Sequence, residues 1–469
     1  MGMYRLGILT CVLMLLTACR TDPRPDLAAI YDEPAQKIGS QRNPVIVIPG
    51  ILGSRLEEPG MKTPVWGAFT YGAADPDYPE GARLVALPME QGRSLSALKD
   101  QVVPTTVLDS VEIDVALLVR GLEIDAYDEI IRTLAAGAYR DETIELARKG
   151  PVNQAGHFTC FQYAYDWRRD IAEQAAVLHE RVLHAQQSAK EGFQLGQAPK
   201  VDIVAHSMGG LVLRYYLRYG TQPLPDDGSL PELNWAGAEH IERAIIIGTP
   251  SAGSVLSLKQ LVEGVNYVGL ITPTYRPAVL GTMPSIYQLL PRVRHARVID
   301  EVTGEPIDFL DAEVWRKYGW GLVDPDDART REWLLPDVDD AGVRDAIAFE
   351  HLQKCLARAE QTFRALDQPA DPPRHLRLVL YAGDVEQTPD VLRVDRQGNL
   401  RIQSNAPGDG TVTRASALMD ERVGRSYKPR LQTPIDWDHV QFIPADHIGL
   451  TSDPSFSNNV LYELLERPR

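Results

Sequence analysis

A serine flanked by small residues lies near the middle of the chain, where an apolar run typical of a buried strand gives way to a helix-like segment. The run begins at Val201 and ends at Ala205, and the helix-like segment follows Gly209 and Gly210. A strand, a tight turn and a helix form a nucleophile elbow, which presents a serine hydroxyl above a sheet edge. Ala205 and Gly209 lie two residues either side of Ser207, where larger side chains would collide with the backbone. We predict that Ser207 is a nucleophile; the alternative is an ordinary turn with an incidental serine.

A serine hydroxyl needs a base to take its proton and an acid to orient that base. In a site built on a nucleophile elbow the chain order is serine, acid, histidine. Asp384 and Asp409 both follow late strand-like runs in turn sequences, and spacing alone does not separate them. His447 lies in a loop before the last helix-like segment, whereas His439 alternates like a strand residue, which favours a structural role. The pattern therefore predicts His447 as the base and leaves both acids open.

An acyl-transfer site also needs two backbone N–H groups that stabilise the developing oxyanion. One is expected from Met208, directly after the serine. The second is expected from the loop after the first core strand, at Ile51 or Leu52, because the glycines on both sides of this pair let the backbone approach a substrate. The alternative for this loop is a plain β-turn.

Strand-like and helix-like segments alternate on both sides of this serine. The predicted strands are 44–48, 158–165, 201–205, 241–247 and 376–382, and the predicted helices are 127–136, 170–187, 211–219 and 458–466. Such alternation is typical of a mainly parallel sheet flanked by helices. Together with the elbow it predicts an α/β fold of the α/β-hydrolase class.

Composition shifts along the chain predict its domain organisation. We expect a signal peptide (1–18), a tether (19–43), a first part of the core (44–254), an inserted cap (255–375) and a last part of the core (376–469). The first part of the core carries an excursion, 58–110, whose prolines and glycines indicate irregular, solvent-facing chain. The cap segment lacks strand-like alternation. A hairpin is expected within 391–402, around an Asp-Arg-Gln-Gly turn.

The N-terminus resembles that of a bacterial lipoprotein. A basic start is followed by an apolar run, Leu6 to Leu16, that is too short to span a bilayer comfortably, and then by Leu-Thr-Ala-Cys19. In this interpretation the chain is cut before Cys19, whose thiol then carries lipid. Residue 20 is Arg rather than Asp, which favours the outer membrane, on its periplasmic side, over inner-membrane retention. The alternative is a buried apolar helix.

Composition excludes some partners. A net charge of −16 and a pI near 5.1 argue against nucleic acid, which favours a basic protein surface. No further stretch approaches 18 uninterrupted apolar residues, so no other membrane span is expected. Cys160 and Cys355 form a disulfide or remain free thiols, and sequence leaves both open. No Cys/His spacing predicts a metal site, and no cofactor is implied.

Five short motifs occur in register along the chain and carry a family resemblance. They are Pro49-Gly-x-x-Gly-Ser-x-Leu-Glu57, Tyr165-Asp-Trp-Arg168, Ala205-His-Ser-Met-Gly-Gly210, Gly248-Thr-Pro-x-x-Gly-Ser254 and Gly408-Asp-Gly-Thr-Val412. Together they resemble the lecithin:cholesterol acyltransferase family, which includes phospholipases and bacterial lipases. The resemblance implies Asp409 as the acid, His447 as the base and Ile51 as the second oxyanion donor. In the Tyr-Asp-Trp-Arg motif Asp166 and Arg168 flank a large aromatic residue, which suggests a hydrogen-bonded strand end, so we interpret this motif as structural rather than catalytic.

The sequence departs from mammalian members of that family in one respect. Those members close a lid with cysteines after the oxyanion loop, whereas residues 54–110 contain no cysteine. Trp66 is a candidate lid or interface residue, with an ordinary packed Trp as the alternative. The expected function is a serine-dependent acyl hydrolase or acyltransferase of the lipase or phospholipase type, acting on lipid esters. The alternatives are a general carboxylesterase for non-lipid esters and a catalytically silent envelope lipoprotein that uses the scaffold for binding.

Overall fold

A computed structural model describes the chain at residue 39 and over 41–69, 72–108, 110–113, 124–125, 127–147, 157–266, 273–423 and 428–467. The predicted signal peptide, Cys19 and residues 20–38 of the predicted tether lie outside the described residues. Arg42 and Asn43, predicted to end the tether, are buried. Arg42 Nη1 donates to the carbonyl oxygen of Gly137 at 2.7 Å, and Asn43 Nδ2 donates to Asp202 Oδ1 at 3.1 Å. The folded part therefore includes both residues.

The strands and helices follow one another in the order that the sequence predicts for an α/β chain. The strands are β1 (Val45–Ile48), β2 (Ser54–Glu58), β3 (Thr63–Trp66), β4 (Ala68–Phe69), β5 (Val103–Val107), β6 (Ser110–Ile113), β7 (Ile124–Asp125), β8 (Cys160–Gln162), β9 (Val201–His206), β10 (Ile241–Ile247), β11 (Val298–Asp300), β12 (Arg377–Gly383), β13 (Glu386–Val394), β14 (Leu400–Gly408) and β15 (His439–Ile443). The α-helices are α1 (Pro79–Val85), α2 (Asp128–Ala136), α3 (Glu142–Ala147), α4 (Ile171–Gly192), α5 (Met208–Tyr219), α6 (Val255–Glu263), α7 (Pro277–Leu280), α8 (Pro284–Tyr287), α9 (Ala312–Tyr318), α10 (Ala328–Leu334), α11 (Ala341–Asp367), α12 (Arg414–Leu418) and α13 (Pro454–Leu465). Short 3₁₀ turns occur at Leu95–Ala97, Ala236–His240, Val293–His295, Gly321–Val323, Pro325–Asp327 and Gly449–Thr451.

Six strands form the central sheet in the order β15-β12-β10-β9-β1-β8, and every pairing within it is parallel. β9 is completely buried, as expected of a parallel strand that is covered on both faces. The carboxyl ends of parallel strands meet at one edge, where ligand and catalytic sites of such sheets form. Ser207, directly after β9, lies at this edge.

The side chains of each strand alternate between two apolar layers. Ile46 and Ile48 pack into the layer that contains α4, α5 and α11, whereas Val45 and Val47 pack into the layer that contains α2 and α13. Local capping fixes where some of these helices begin. For example, Asp170 accepts the N–H of Ala172 at 3.0 Å at the start of α4. Helices thus cover both faces of the sheet.

The prediction of an irregular, solvent-facing excursion within 58–110 is wrong. β3, β2 and β5 form a three-stranded antiparallel sheet, and the following helix α1 buries Ala82 and Val85. The prolines that indicated irregular chain, Pro64 and Pro104, lie in the two edge strands β3 and β5. Edge strands tolerate proline because one side of their backbone needs no partner.

The described part of the segment 255–375 is mostly helical and contributes no strand to the central sheet. It contributes one short strand, β11, which pairs with β13 of the β13–β14 hairpin. That hairpin spans Glu386–Gly408 and is longer than the predicted 391–402. The cap and core boundaries given above stay a prediction.

Both described cysteines are free and buried, and they lie on opposite sides of the central sheet. Cys160 belongs to the apolar layer with α2 and α13, and Cys355 belongs to the layer with α5 and α11. Within the described part of the chain, no helix combines the length and the apolar character needed to cross a membrane.

Candidate active site

Ser207 occupies a sharp turn between β9 and α5. Its φ of 52° and ψ of −127° fall outside the regions that non-glycine residues ordinarily adopt. Two hydrogen bonds hold this conformation: the Ser207 N–H donates to the Ile247 carbonyl at 2.8 Å, and Thr249 Oγ1 donates to the Ser207 carbonyl at 2.8 Å. A strained residue held by its surroundings in this way is typical of functional sites.

Gly209 of the elbow and Gly50 of the oxyanion loop lie where the two segments pack against each other. A Cβ atom added to Gly209 would lie 2.4 Å from the Pro49 carbonyl oxygen. A Cβ atom added to Gly50 would lie 2.7 Å from Ser207 Cβ and 3.2 Å from Ser207 Oγ. The contacts of 2.4 and 2.7 Å are closer than atoms can approach without displacement, so glycine at both positions lets the loop and the elbow pack together.

The structure brings His447 to Ser207 across 240 residues of sequence. His447 Nε2 lies 3.0 Å from Ser207 Oγ, within hydrogen-bond distance. The His447 ring is largely buried, with 13% of its side chain exposed, and it lies in the loop between β15 and α13. A base at this distance is placed to take the serine proton.

Asp409 contacts the opposite side of the His447 ring. Its Oδ2 lies 2.8 Å from His447 Nδ1, and its Oδ1 accepts the N–H groups of Thr411 at 2.9 Å and Val412 at 2.7 Å. Burial raises the pKa of the Asp409 carboxyl, but the charge of His447 and these hydrogen bonds outweigh burial and hold the pKa below its ordinary value. Asp409 is thus an ionised, buried acceptor for the ring.

The two residues that spacing left as alternatives lie away from the serine. Asp384 is about one-third exposed and lies 3.7 Å from Arg414 in an ion pair. His439 is an exposed residue of the edge strand β15. Of the candidate acids and bases, the structure brings only Asp409 and His447 together with Ser207.

The oxyanion loop leaves two consecutive backbone donors available beside Ser207. The Gly50 N–H donates to Tyr127 Oη at 2.7 Å, and the Gly53 N–H donates to the Gly50 carbonyl at 3.1 Å. Ile51 and Leu52 lie between them, and the N–H of neither meets an acceptor among the residues described. Met208 opens α5, and the first N–H groups of a helix have no acceptor within it. Both predicted donors therefore border the nucleophile with unused N–H groups.

Sequence reasoning missed two polar side chains that lie directly behind the serine. His206 Nδ1 lies 3.0 Å from Tyr127 Oη, and His206 Nε2 lies 3.0 Å from the His447 carbonyl oxygen. Burial, together with the charge of His447, lowers the pKa of His206 to about 3. The available signal was a titratable residue directly before the nucleophile, at the end of a buried strand.

Trp66, the candidate lid residue, is only 5% exposed. Its Nε1 donates to the Leu52 carbonyl at 2.7 Å, and its ring packs edge-on against Trp167 with centroids 5.6 Å apart. Leu52 adopts a positive φ of 66°. These contacts match the alternative of a packed Trp, in this case one that supports the oxyanion loop.

The Tyr-Asp-Trp-Arg motif forms a buried network beneath the site. Arg168 is fully buried and pairs with Asp166 at 2.8 Å and with Asp100 at 2.7 Å. Trp167 Nε1 donates to the Ser54 carbonyl at 3.2 Å, and Ser285 Oγ donates to the Trp167 carbonyl at 2.6 Å. The motif ties the loop after β8 to the cap segment, in keeping with a structural role.

A cavity of about 290 Å³ opens onto Ser207 and His447. Its walls are mainly apolar, and most of the apolar lining comes from the oxyanion loop, the residue after His447 and the 255–375 segment, with Trp167 and Val412 in addition. Apolar lining residues are Ile51, Leu52, Trp167, Leu256, Val265, Leu280, Ile286, Leu289 and Ile448. Among the described residues, no group of three or more His, Cys, Asp or Glu side chains is placed to hold a metal ion.

A family model described as lecithin:cholesterol acyltransferase matches residues 147–319. The resemblance inferred from the motifs is therefore confirmed over that part of the chain, which contains Ser207 and ends before Asp409 and His447. The match supports an ester hydrolase or acyltransferase. No curated protein matches the sequence.

The chain resembles solved structures to different degrees, and one of them shares its fold. A chain of the Tle4–Tli4 complex matches with a TM-score of 0.52 and 16% identity, over 90% of this chain and 98% of that one. The Bacillus licheniformis lipase BlEst2 in its mature form matches with a TM-score of 0.29 and 13% identity, over 66% and 79% of the two chains. Lipase 1 from Pelosinus fermentans matches with a TM-score of 0.24 and 16% identity, over 58% and 74%. The parallel sheet covered by helices, the family match and the likeness to the chain of the Tle4–Tli4 complex confirm the predicted α/β-hydrolase fold.

Proposed function

We propose that this protein is a serine-dependent acyl hydrolase or acyltransferase that acts on lipid esters through an acyl-serine intermediate. The observation that carries the proposal is the hydrogen-bonded series from Ser207 Oγ through His447 to Asp409, with distances of 3.0 and 2.8 Å. Nucleophile, base and orienting acid in this arrangement are the requirement for acyl transfer by a serine.

In the proposed reaction Ser207 Oγ attacks the ester carbonyl while His447 Nε2 takes the hydroxyl proton. The imidazolium that forms is stabilised by the Asp409 carboxylate, which also holds the Nδ1–H tautomer. His447 then returns the proton to the departing alcohol, and an acyl-serine remains. Water or an alcohol acceptor, deprotonated by the same histidine, releases the acyl group.

We assign the stabilisation of the negative charge that develops on the carbonyl oxygen to the N–H groups of Ile51 and Met208. Loss of one such donor typically lowers kcat by about 10²–10³-fold. Because both groups belong to the backbone, side-chain substitution cannot remove them directly. Their contribution depends on how the oxyanion loop packs against the elbow.

The apolar walls of the cavity support an acyl chain as the substrate portion next to the serine. Such a wall binds hydrocarbon by removing it from water, at about 25 cal/mol for each Å² of apolar surface buried. A carbonyl held at Ser207 would extend its chain along residues of the cap segment such as Leu280 and Leu289. A polar or charged acyl group would lose its hydration there without compensation.

The experiment that tests the proposal compares the mature protein without Cys19 with its Ser207→Ala variant on a series of esters. The series runs from p-nitrophenyl acetate through p-nitrophenyl palmitate to phospholipid vesicles. Long-chain turnover that disappears in the variant is the expected result. Turnover of short esters alone would indicate a general carboxylesterase instead of an enzyme for lipid esters. Inactivity of both proteins would favour a catalytically silent lipoprotein that uses the scaffold for binding. An added alcohol acceptor then separates transfer from hydrolysis.

We also propose that the protein is held in the bacterial envelope by lipid on Cys19, with the outer membrane, periplasmic side, as its site. Support comes from the apolar run and the Leu-Thr-Ala-Cys19 sequence alone. Metabolic labelling with a fatty-acid analogue is expected to mark the full-length protein and to leave Cys19→Ser unlabelled. Labelling of both proteins, or of neither, would overturn this anchor.

A further inference from the structure

Tyr127 and His206 connect two separate loops of the proposed site. Tyr127 precedes α2 and lies 77 residues from Gly50 in sequence, and its hydroxyl contacts both Gly50 and His206. His206 is the last residue of β9 and is 3% exposed. Neither side chain has a role in the acyl-transfer steps above, although both line the cavity.

The direction of each hydrogen bond in this series is fixed by its two ends. The Gly50 N–H can only donate, so Tyr127 Oη accepts it at 2.7 Å. At the other end the His447 carbonyl can only accept, so His206 Nε2 must carry a proton. A neutral His206 then has a lone pair on Nδ1, and the Tyr127 O–H donates to it across 3.0 Å.

We propose that Tyr127 and His206 are positioning residues, which form a hydrogen-bond relay that holds the oxyanion loop and the His447 loop in register about Ser207. This inference rests on the proposed function and extends it. The relay begins at the N–H of Gly50, next to the oxyanion donor Ile51, and ends on the backbone of the base. The relay acts on the positions of Ile51 and His447 rather than on the substrate.

The backbone of His447 is held from both sides by this arrangement. Its N–H donates to the Asp409 carbonyl at 2.8 Å, and its carbonyl accepts His206 Nε2. The orientation of the ring follows from the position of this backbone. Loss of the contact from His206 leaves the loop with one fewer anchor while the Asp409 carboxylate still contacts the ring.

The environment favours the neutral forms that the relay requires. Burial raises the pKa of the Tyr127 hydroxyl, and burial lowers that of His206. The two rings pack edge-on with centroids 5.6 Å apart, and both residues are buried. The relay is therefore a fixed part of the site at neutral pH.

Tyr127→Phe removes the relay hydroxyl and keeps the ring, and it is the variant that tests the inference. The matched control is Tyr215→Phe, which removes another buried tyrosine hydroxyl. The Tyr215 hydroxyl donates to the Gln222 carbonyl over 2.9 Å, and Tyr215 does not line the cavity. For p-nitrophenyl butyrate we expect kcat of Tyr127→Phe to fall by about tenfold or more with little change in KM, because misplaced groups lower transition-state stabilisation rather than substrate binding. The control is expected to keep wild-type kcat at a similar loss of melting temperature.

Two further variants separate the ends of the relay. His206→Gln retains an amide donor that can reach toward the Nε2 position, whereas His206→Asn places an amide at the Nδ1 position and has none at Nε2. The Gln variant is expected to recover more of kcat than the Asn variant. If Tyr127→Phe fails to fold, this pair decides the question, since both variants keep the tyrosine.

A kcat of Tyr127→Phe equal to that of Tyr215→Phe, or equal kcat values for the two His206 variants, would overturn the relay. Failure of the proposed function has a different signature. In that case Ser207→Ala retains the activity of the wild-type protein, and fluorophosphonate labelling of the serine is absent from every variant.

Discussion

Asp409 and His447 are joined by two hydrogen bonds, one between side chains and one between backbones. His447 Nδ1 lies 2.8 Å from Asp409 Oδ2, and the His447 N–H donates to the Asp409 carbonyl, also at 2.8 Å. The aspartate thus fixes both the ring and the loop that carries it. A substitution that keeps the side-chain shape of Asp409 isolates the contribution of its charge, because the backbone bond remains.

Asp409→Asn is expected to lower kcat by about 10⁴-fold, because an amide neither holds the Nδ1–H tautomer nor stabilises the imidazolium. Steady-state kinetics with a soluble ester measures the effect. Asp384→Asn is the matched control and should retain wild-type kcat, since Asp384 is partly exposed and pairs with Arg414 rather than with His447 among the described residues. A larger loss in the Asp384 variant would reverse the assignment of the acid.

The buried, neutral His206 makes the free energy of unfolding depend on pH. Its pKa is about 3 in the folded protein and about 6.5 in the unfolded chain. Between these two pKa values the unfolded chain binds a proton on His206 that the folded protein does not bind. The contribution of His206 to the free energy of unfolding is therefore highest above pH 6.5 and decreases as the pH falls below it. Relative to His206→Asn, the wild-type protein should lose about 2 kcal/mol between pH 7 and pH 5. Urea unfolding at both pH values measures the difference, and parallel losses would contradict the buried neutral state.

Gly209→Ala is expected to lower the free energy of unfolding by about 1–3 kcal/mol, because the added methyl group must displace the Pro49 carbonyl. The same displacement moves the oxyanion loop, so kcat should fall as well. Gly196→Ala serves as the control, since a Cβ atom there meets nothing within 4 Å. Chemical denaturation and ester turnover are compared for the pair, and equal stability of both variants would contradict the tight contact.

Trp66→Phe distinguishes a lid residue from a packed one. The variant loses the hydrogen bond to the Leu52 carbonyl, so turnover of soluble short esters and of vesicles should fall together, by about tenfold. Trp437→Phe, which loses an Nε1 bond to the Leu418 carbonyl instead, is expected to change neither. A selective loss on vesicles would restore the lid interpretation.

The apolar cavity predicts that chain-length preference depends on Leu280, which lines it and is 6% exposed. Leu280→Phe should lower kcat/KM for p-nitrophenyl palmitate relative to the acetate by about tenfold or more, since the larger ring occupies the space of the chain. Leu280→Ala removes side-chain volume and should preserve long-chain turnover. Equal effects of Leu280→Phe on both esters would place the acyl chain elsewhere.

The position of Ser207 was predictable because its signal is local: strand, small flanking residues and helix follow each other within the printed sequence. The acid was not predictable from spacing, because Asp384 directly follows β12, Asp409 directly follows β14, and both lie in turns. The β13–β14 hairpin carries the chain away from the sheet edge and returns it beside Gly383, where an added Cβ atom would lie 2.6 Å from Asp409 Cβ. That return depends on strand pairing between residues far apart in the chain.

Other features lay beyond local patterns for the same reason. Tyr127 was predicted only as a helix start, and its contact with His206 joins residues 79 positions apart. The small sheet of β2, β3 and β5 was missed because proline lowers the strand propensity of its edges, while the pairing that forms it is tertiary. Patterning thus predicted the central sheet and the elbow, and long-range packing determined the rest of the site.

The two buried thiols give the protein a built-in pair of reporters for local opening. Cys160 lies in the sheet-edge strand β8, and Cys355 lies within the long helix α11 on the other side of the sheet. A thiol reacts with an alkylating reagent only when it reaches solvent, so each labelling rate measures how often its own face opens. In mature protein without Cys19, equal rates at the two sites would indicate one cooperative unit. Faster labelling of Cys160 would indicate that the edge of the sheet opens while the helical side, with the cap packed against it, stays closed.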